Sequence, residues 1–342
     1  MISHKLHNRF SALEQHVFET SQSLFSTGAA VIVIHNDEIV TERYWGKQST
    51  NLDAREVQED TQFHVASVRK SYIGYAVAYA VYHGYVESID DEVTKYFTDL
   101  NTELYKDTTV RHLLTHSHGL KEVDGEIIRE FAPGTSWAYR QINIKLLTEL
   151  VKKTTGKSVA KIIREEVFKP LGFTQSGWYT EPNEKLAEVI KEDGESNWFP
   201  STSTEGDQVN MYVSARELAL WGYIYLKEGN INGKQLVNKD IIELAKSLQS
   251  PSTIDKDLPQ HGFLWFVKDL PAKKNEIGSL VPKESFQILG FTGPAVLVIP
   301  EENIVAVRML NSFGSPKNFD FLGSIRSFGD TVMKCLEGKQ GN

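Results

Sequence analysis

Cysteine is almost absent from this chain, which has one, Cys335, among 342 residues. A single cysteine excludes an intrachain disulfide, agrees with a reducing compartment, and here lies in a stretch typical of a packed C-terminal helix. Positive charge is also scarce, because 37 Lys and Arg stand against 45 Asp and Glu, a net charge of −8. We therefore expect neither nucleic acid nor an anionic membrane as a partner.

Long apolar segments and targeting signals are missing as well. The uncharged run 71–82 has about a dozen residues, too few to cross a bilayer. Residues 1–10 show no apolar core and no small-residue cleavage site, so we expect a cytoplasmic protein, or an extracytoplasmic one only if a leader was removed. With 40% hydrophobic and 24% charged residues, the composition is that of a globular protein.

The most informative pattern is Ser67-Val68-Arg69-Lys70, which opens the uncharged run. Positions i and i+3 of a helix share a face, so the Lys70 amine can reach the Ser67 hydroxyl. Burial lowers the pKa of a lysine, and a neutral amine can accept the serine proton. By spacing alone, Ser67 is as compatible with a plain N-cap as with a nucleophile, since about one Ser-x-x-Lys is expected by chance in a chain of this size.

A second tetrad with the same spacing, Ser158 to Lys161, provides an internal comparison. Ser158 follows a helix-breaking Thr-Gly-Lys and heads a charged stretch, which is typical of an N-cap on a solvated helix. Ser67 instead heads a run without charge on any face, which is typical of a buried helix. The context therefore favours Ser67 over Ser158 as a reactive group.

Helix and strand signals predict strands near both ends of the chain and helices between them. Asn36-Asp37 is a residue pair that favours the tight turn of a β-hairpin. Residues 184–210 resemble a long functional loop. We predict helices at about 5–25, 214–227 and 319–336, and strands at 29–35, 38–45, 263–267, 286–289, 295–299 and 304–310. This order predicts an α/β (α+β) fold, an antiparallel β-sheet flanked by N- and C-terminal helices with an inserted, mainly helical region. We assign residues 1–66 and 213–342 to the sheet domain and 67–212 to the helical domain, with the active site at their junction.

Several further motifs resemble those of the serine β-lactamase and penicillin-binding-protein superfamily, in its class C-like branch with D-amino-acid peptidases, esterases and nylon-oligomer hydrolases. The run 110–120 (VRHLLTHSHGL) is similar to the branch's rHLLTHtSGL landmark, and 133–139 (PGTSWAY) to the approach to its catalytic tyrosine. Other matches, in family order, are 59–71, 90–96, 169–173, 214–218 and 290–293. The resemblance covers roughly residues 25–312 and implies a β-lactamase/transpeptidase-like fold.

The resemblance also implies a role for each matching residue. Ser67 is the acylated nucleophile, Lys70 its general base, and Tyr139 the proton shuttle to the leaving group. A phenol suits that role if a nearby cation lowers its pKa, and Lys70 is the obvious one. The backbone N–H groups of Ser67 and Phe291 form the oxyanion hole. Without the resemblance, Tyr139 would be read as a core aromatic.

Two motifs depart from the family. The second, usually Tyr-x-Asn, ends here in Gln141, and the third, usually Lys-Thr-Gly or His-Thr-Gly, is Ile288-Leu289-Gly290, without a cation. We assign substrate contacts to Gln141, Gly290 and Thr292. Loss of the third-motif cation argues against a β-lactam or peptidoglycan substrate, although Arg140 is a candidate substitute as a carboxylate anchor.

Other chemistry has weaker support. His112 and His116 have helical spacing for zinc, but the glutamate of a His-Glu-x-x-His site is missing, so we expect no metal and no cofactor. Trp137, Trp198 and Phe199 are candidates for an apolar acyl pocket. Three functions remain open: a serine hydrolase of a small ester or amide, a D-amino-acid peptidase or carboxypeptidase, and a catalytically weak binding or assembly relative. The oligomeric state is left open.

Overall fold

The computed structural model describes residues 2–198 and 200–338. The strands are β1 (Ser3–His4), β2 (Gly28–His35), β3 (Glu38–Gly46), β4 (Gln62–His64), β5 (Leu120–Val123), β6 (Glu126–Arg129), β7 (Ser176–Trp178), β8 (Val189–Ile190), β9 (Ser196–Asn197), β10 (Met211–Ser214), β11 (Asn230–Ile231), β12 (Lys234–Gln235), β13 (Gln260–His261), β14 (Phe266–Val267), β15 (Phe286–Leu289), β16 (Ala295–Ile299) and β17 (Ile304–Leu310). The α-helices are α1 (Ser11–Ser23), α2 (Arg69–Tyr82), α3 (Thr102–Tyr105), α4 (Val110–Leu114), α5 (Ile142–Thr155), α6 (Val159–Ile163), α7 (Lys169–Leu171), α8 (Ala215–Leu226), α9 (Lys239–Lys246) and α10 (Phe321–Glu337).

The hairpin β2–β3 starts the main sheet. Asn36 and Asp37 connect its strands with φ angles of 51° and 66°. Positive φ at both central positions is the turn that matches the twist of paired strands, and Asn and Asp adopt it more readily than most residues. The hairpin predicted from these two residues is therefore confirmed.

The main sheet has eight strands in the order β1-β3-β2-β17-β16-β15-β14-β13. Its pairs are antiparallel except for β1, which lies parallel to β3. Both ends of the chain supply these strands, and the helices α2 to α7 come between them in sequence. The predicted α/β fold, an antiparallel sheet with a mainly helical insertion, is confirmed.

Side chains alternate between the two faces of this sheet, so both faces carry apolar residues that pack against helices. On one face, apolar residues of α1 and α10 form a buried cluster with the sheet, including Leu13, Val17, Val33, Leu297, Phe328 and Val332. On the other face, α8 packs against the neighbouring strand positions, and one buried cluster joins residues of the sheet, α8 and α2, including Ile32, Val296, Val305, Leu218, Trp221 and Ile73. The sheet is thus enclosed between terminal helices and the helical region.

Helix α2 is buried on nearly all sides, as its uncharged sequence predicts. A Cβ at Gly74 would lie 2.1 Å from the Phe263 carbonyl oxygen, so only glycine allows this approach. The polar Ser71 is satisfied inside the core, because its hydroxyl accepts a hydrogen bond from Trp221 Nε1 at 2.9 Å. These contacts fix the helix that follows Ser67.

Some predicted elements differ from the structure. The helix predicted at 5–25 is shorter, because α1 begins at Ser11 after a 3-10 turn at Asn8–Phe10 and ends at Ser23. The strand predicted at 263–267 is replaced by β13 and β14 on either side of Leu264, whose φ of 66° breaks an extended run. Leu264 is buried by its neighbours, and its backbone N–H donates a hydrogen bond to the Leu114 carbonyl oxygen at 3.1 Å.

A three-stranded sheet, β4-β10-β7, lies where the helical region meets the main sheet. In it, β10 pairs with β4 on one side and β7 on the other. The Ser67 segment leaves this sheet directly after β4. The domain division at 66/67 and 212/213 remains a prediction. Across residues 2–198 and 200–338, no helix combines the length and apolar character needed to span a membrane.

Candidate active site

Ser67 lies in a tight turn between β4 and α2. The Val65 N–H bonds to the Met211 carbonyl at 3.0 Å, Ala66 has a φ of 44°, and Ala66–Val68 form one turn of 3-10 helix. A positive φ at a non-glycine residue costs about 1–2 kcal/mol, so surrounding contacts must hold the turn in place. The result is a half-buried serine beside the first turn of α2.

Lys70 lies one helical turn beyond Ser67, and its side chain is almost fully buried. Burial, reinforced by the positive charge of Arg69, holds the pKa of the Lys70 amine well below its usual range. Its Nζ has no hydrogen-bond partner among the described residues and lies 3.8 Å from the centroid of the Tyr139 ring. The neutral amine, which can accept a proton, is therefore favoured more than in an exposed lysine.

Tyr139 lies just before α5, and its ring stacks on His116 with the two ring centroids 4.6 Å apart. Burial raises the pKa of the phenol to about 12, opposed by a side-chain hydrogen bond with Ser67 and by the charge of Arg69. The expectation that Lys70 lowers this pKa is wrong, because burial is the larger effect and Arg69 is the opposing cation. The phenol thus stays protonated at neutral pH.

Two buried histidines border this group. His261 Nε2 accepts a hydrogen bond from Trp137 Nε1 at 2.9 Å, and Asn143 Nδ2 lies 3.2 Å from His116 Nδ1. Burial, followed by the charge of Lys70, lowers the pKa of His116 well below its usual range and that of His261 to about 3. Both imidazoles are neutral, so they add no positive charge that would compete with protonation of Lys70.

The turn 290–293 approaches Ser67 from the main sheet. A Cβ at Gly290 would lie 2.4 Å from the Val65 carbonyl oxygen, and Thr292 Oγ1 donates to the His64 carbonyl oxygen at 2.6 Å. Within the described ranges, no group accepts a hydrogen bond from the Phe291 N–H. That N–H is available to an oxyanion, whereas the buried Thr292 hydroxyl is already engaged with the backbone.

The second-motif residues lie at the edge of the site. Gln141 is exposed at the start of α5, and its side chain does not cap the helix. Arg140 Nη2 donates to both carboxylate oxygens of Glu130, at 3.0 and 2.8 Å. Because Glu130 already pairs with Nη2 of this guanidinium, the structure disfavours Arg140 as a free carboxylate anchor. The substrate contacts assigned to Gln141, Gly290 and Thr292 remain predictions.

Other sequence candidates have local structural roles. His112 Nδ1 accepts from the Thr109 N–H in a capping box at the start of α4, whereas His116 lies beyond the end of that helix. The described residues contain no group of three metal ligands. Ser158 caps α6 by accepting from the Lys161 N–H at 3.2 Å, which confirms its interpretation as an N-cap.

The pocket residues suggested by the sequence are only partly described. Trp137 contacts His261 and lies within the group around Tyr139. Trp198 is half-buried, and Phe199 lies outside the described residues. Sequence reasoning missed His261 and Arg69. The position of Arg69 inside the Ser-x-x-Lys tetrad was the only signal for it, whereas no pattern linked His261 to the site.

Comparison with known proteins settles the family. The Beta-lactamase family model matches residues 13–324. The chain belongs to the Beta-lactamase family. An uncharacterized protein of Alkalihalophilus pseudofirmus is 57% identical over 331 residues, which cover 97% of this chain and 98% of that protein. The resemblance inferred from the sequence motifs is therefore confirmed.

More distant relatives in the same family include named enzymes. A D-aminopeptidase of Brucella anthropi is 26% identical over 62% of this chain and 42% of that protein. Esterase EstB of Burkholderia gladioli is 28% identical over 47% of this chain and 49% of that protein. The chain therefore matches less than half the length of either enzyme. A penicillin-binding protein homologue from Caulobacter crescentus has the same fold, with a TM-score of 0.75, 18% identity, and coverage of 96% of this chain and 98% of that one.

Proposed function

We propose that this Beta-lactamase family member is a serine hydrolase that acts on a small ester or amide through a covalent acyl-enzyme at Ser67. The observation that carries the proposal is the convergence of three side chains. The Ser67 side chain acts on the pKa of Tyr139, and the buried Lys70 amine lies 3.8 Å from the Tyr139 ring centroid. Two relatives named as an esterase and a D-aminopeptidase support the reaction class.

In the proposed reaction, the Ser67 oxygen attacks the substrate carbonyl carbon and gives up its proton. The Lys70 amine, whose pKa is lowered by burial, accepts that proton through the Tyr139 phenol and later returns it through Tyr139 to the leaving group. The carbonyl oxygen becomes an oxyanion that accepts hydrogen bonds from the Ser67 and Phe291 N–H groups. Collapse of this intermediate expels the leaving group, which takes the relayed proton, and water then hydrolyses the acyl-enzyme.

A high phenol pKa fits a relay better than a permanent base. With its pKa near 12, Tyr139 is protonated at neutral pH and can donate its proton to a leaving group while accepting another. Lys70 can remove a proton from this pair because its own pKa is low. The two shifts, in opposite directions, therefore divide the acid and base roles between neighbouring groups.

The named D-aminopeptidase relative supports a second candidate, hydrolysis of peptides that contain D-amino acids. An aminopeptidase must hold the ammonium group at the start of its substrate. The buried Arg69, whose charge acts on both Lys70 and Tyr139, would repel that ammonium. We therefore favour the ester or amide hydrolase.

Hydrolysis of 4-nitrophenyl acetate by the wild type, Ser67→Ala and Ser158→Ala tests the proposal. We expect Ser67→Ala to lose all activity above background, and Ser158→Ala to keep it, because Ser158 only caps a helix. Activity that survives in Ser67→Ala would reject the nucleophile. If no ester or amide is turned over by any of the three proteins, the binding or assembly alternative takes its place. D-alanyl peptides run in parallel separate the two enzyme candidates.

A further inference from the structure

Two exposed phenylalanines, Phe291 and Phe313, lie against each other at the surface and form what we call the aromatic pair. Their ring centroids are 5.3 Å apart and their planes are inclined by 87°, which is an edge-to-face contact. The two residues are 53% and 40% exposed, whereas most other phenylalanines of the described ranges are buried. Clustered apolar surface that stays in contact with water is unfavourable and is typical of places where a ligand binds.

The aromatic pair borders the segment that leads into the proposed nucleophile. Before Phe291, Gly290 lies so close to the Val65 carbonyl oxygen that an added Cβ would be 2.4 Å from it. After Phe291, Thr292 Oγ1 donates to the His64 carbonyl oxygen at 2.6 Å. The strand β15, which precedes these residues, also packs against the turn of the nucleophile. Phe291 is thus fixed on both sides against this segment, so its exposed ring lies at the site.

The backbone that carries both rings is held in place. The Phe313 N–H donates to the Ile190 carbonyl oxygen at 2.7 Å, and the Gly314 N–H donates to the Phe291 carbonyl oxygen at 3.4 Å. Gly314 has a φ of 74°, and an added Cβ there would lie 2.8 Å from Cζ of the Phe291 ring. Glycine at this position therefore leaves room for the ring. The rings form a preformed apolar wall, which binds a ligand without the cost of ordering a loop.

The size and chemistry of the aromatic pair fit a small apolar group. A large aromatic side chain buries about 150–250 Å² when it is fully covered, whereas a stable protein interface buries about 800 Å² on each partner. Two rings that are already partly covered are therefore too small for a stable protein partner. A phenyl ring has no hydrogen-bonding group, so this wall favours hydrocarbon over polar substituents.

We propose that the aromatic pair binds an apolar aryl or alkyl group of the substrate next to Ser67, so that the enzyme prefers bulky, apolar esters or amides. This inference rests on the proposed serine hydrolase and names the substrate class of its site. The apolar group belongs either to the acyl part or to the leaving group, and both cases share the same contact. Phe291 and Phe313 are in this sense specificity-determining residues, because the substrate covers rings that water otherwise contacts.

The test uses two pairs of esters in which a cyclohexyl ring is compared with an oxane ring. Ethyl 3-cyclohexylpropanoate and ethyl 3-(oxan-4-yl)propanoate differ in the acyl group. The esters 2-cyclohexylethyl acetate and 2-(oxan-4-yl)ethyl acetate differ in the leaving group. Because one ether oxygen replaces one CH₂, the two esters of a pair have nearly the same shape and differ in polarity. For each pair the ratio of kcat/KM values is measured by acid release at constant pH.

The ratios are measured in the wild type, Phe291→Ala, Phe291→Leu, Phe313→Ala and Tyr82→Ala. Tyr82 is the matched control, because it is 44% exposed and makes a similar edge-to-face contact with His83, at 5.0 Å. It lies at the far end of α2, about 20 Å from the start of that helix. Any effect of Phe291→Ala on the oxyanion hole acts on both esters of a pair and cancels in the ratio.

We expect the wild type to prefer the cyclohexyl ester of at least one pair by about 10-fold or more, the effect of one methylene in an apolar site. The preference should largely disappear in Phe291→Ala and Phe313→Ala, be reduced in Phe291→Leu, and persist in Tyr82→Ala. A wild type with no preference in either pair, or a preference unchanged in both alanine variants, would overturn the proposal. Both rings are exposed, so the variants are expected to fold, and their melting temperatures check this.

A binding measurement separates this proposal from the hydrolase on which it rests. If no ester is turned over through Ser67, calorimetric titration of Ser67→Ala with 3-cyclohexylpropanamide and with N-(2-cyclohexylethyl)acetamide decides the role of the aromatic pair. Binding that is lost in the Ser67→Ala, Phe291→Ala double variant would keep the apolar site and reject the hydrolase. Equal binding in the two proteins, or none in either, would overturn the apolar site.

Discussion

The Lys70 amine lies over the Tyr139 ring, with Nζ 3.8 Å from the ring centroid, and the Ser67 side chain in turn acts to lower the pKa of Tyr139. Lys70 and Ser67 are thus both neighbours of Tyr139. Neither ionisable group has its ordinary pKa, since burial lowers the pKa of Lys70 and raises that of Tyr139. Loss of either side chain should therefore impair transfer of the Ser67 proton.

Replacement of Lys70 by Met is expected to lower kcat by about 10²–10⁴-fold, the usual range for loss of a general base. The substitution should not destabilise the fold, because the buried amine has no hydrogen-bond partner in the described residues. Ester hydrolysis and thermal unfolding measure the two effects.

Lys161→Met is the matched control for this change, because Lys161 occupies the same place in the second tetrad and is exposed. It should leave kcat unchanged. Activity within about threefold of wild type in Lys70→Met would exclude Lys70 as the base, since a general base contributes far more than that.

The pH profile should show an acid limb set by Lys70. The pKa of Lys70 in the folded protein is well below 10.5. Above that lowered pKa the amine is neutral and can act as a base. As the pH falls below it, the amine becomes protonated and can no longer accept a proton. Tyr139, with a pKa near 12, should cause no loss up to pH ~10. The measurement is kcat/KM for a neutral ester against pH.

Arg69→Met provides the test of this assignment. Because the charge of Arg69 lowers the Lys70 pKa, its removal should move the acid limb to higher pH. A limb that stays in place, or moves to lower pH, would show that another group controls it.

Thr292→Val should lower both the free energy of unfolding and the kcat for ester hydrolysis. The Thr292 hydroxyl donates to the His64 carbonyl at 2.6 Å within a buried region, and the substitution removes this hydrogen bond. We expect a fall of about 1–3 kcal/mol in the free energy of unfolding, measured by urea titration. A lower kcat at similar KM is expected too, because the contact anchors the turn before Ser67. Thr292→Ser, which keeps the hydroxyl, should restore much of both, and a Thr292→Val protein as stable as wild type would contradict this role.

Gly290→Ala should lower kcat with the fold retained. The added Cβ would lie 2.4 Å from the Val65 carbonyl oxygen, so the turn bearing Ser67 or the Phe291 N–H must shift. Displacement of one oxyanion donor costs about 10²–10³-fold in kcat in comparable sites. Gly177→Ala is the control, because the nearest atom to its Cβ is 3.6 Å away. Equal kcat values for the two variants would argue against the Phe291 N–H as an oxyanion donor.

The sequence predicted regular elements most accurately where side-chain pattern alone determines structure. The bounds of β15, β16 and β17 agree with the predicted strands, because these are short apolar runs between turn residues. Ser214 was correctly placed at the start of α8, whose first turn it caps. The break at Leu264 depends on contacts with α4, which are distant in sequence and leave no local signal.

For the site, the tetrad and the family motifs led to Ser67, Lys70 and Tyr139, which the structure brings together. The direction of the Tyr139 shift was wrong because burial of the ring cannot be read from its neighbours in sequence. That Nε and Nη1 of Arg69 have no hydrogen-bond partner among the described residues also depends on its surroundings in three dimensions.

The most direct measurement is the mass of the protein after reaction with 4-nitrophenyl acetate and rapid acid quench, followed by peptide mapping. A serine hydrolase acting through an acyl-enzyme should gain one acetyl group on the peptide that contains Ser67, and Ser67→Ala should gain none there. Hydrolysis that proceeds with no acetyl group on Ser67, even in the slowly turning over Lys70→Met, would contradict the acyl-enzyme mechanism.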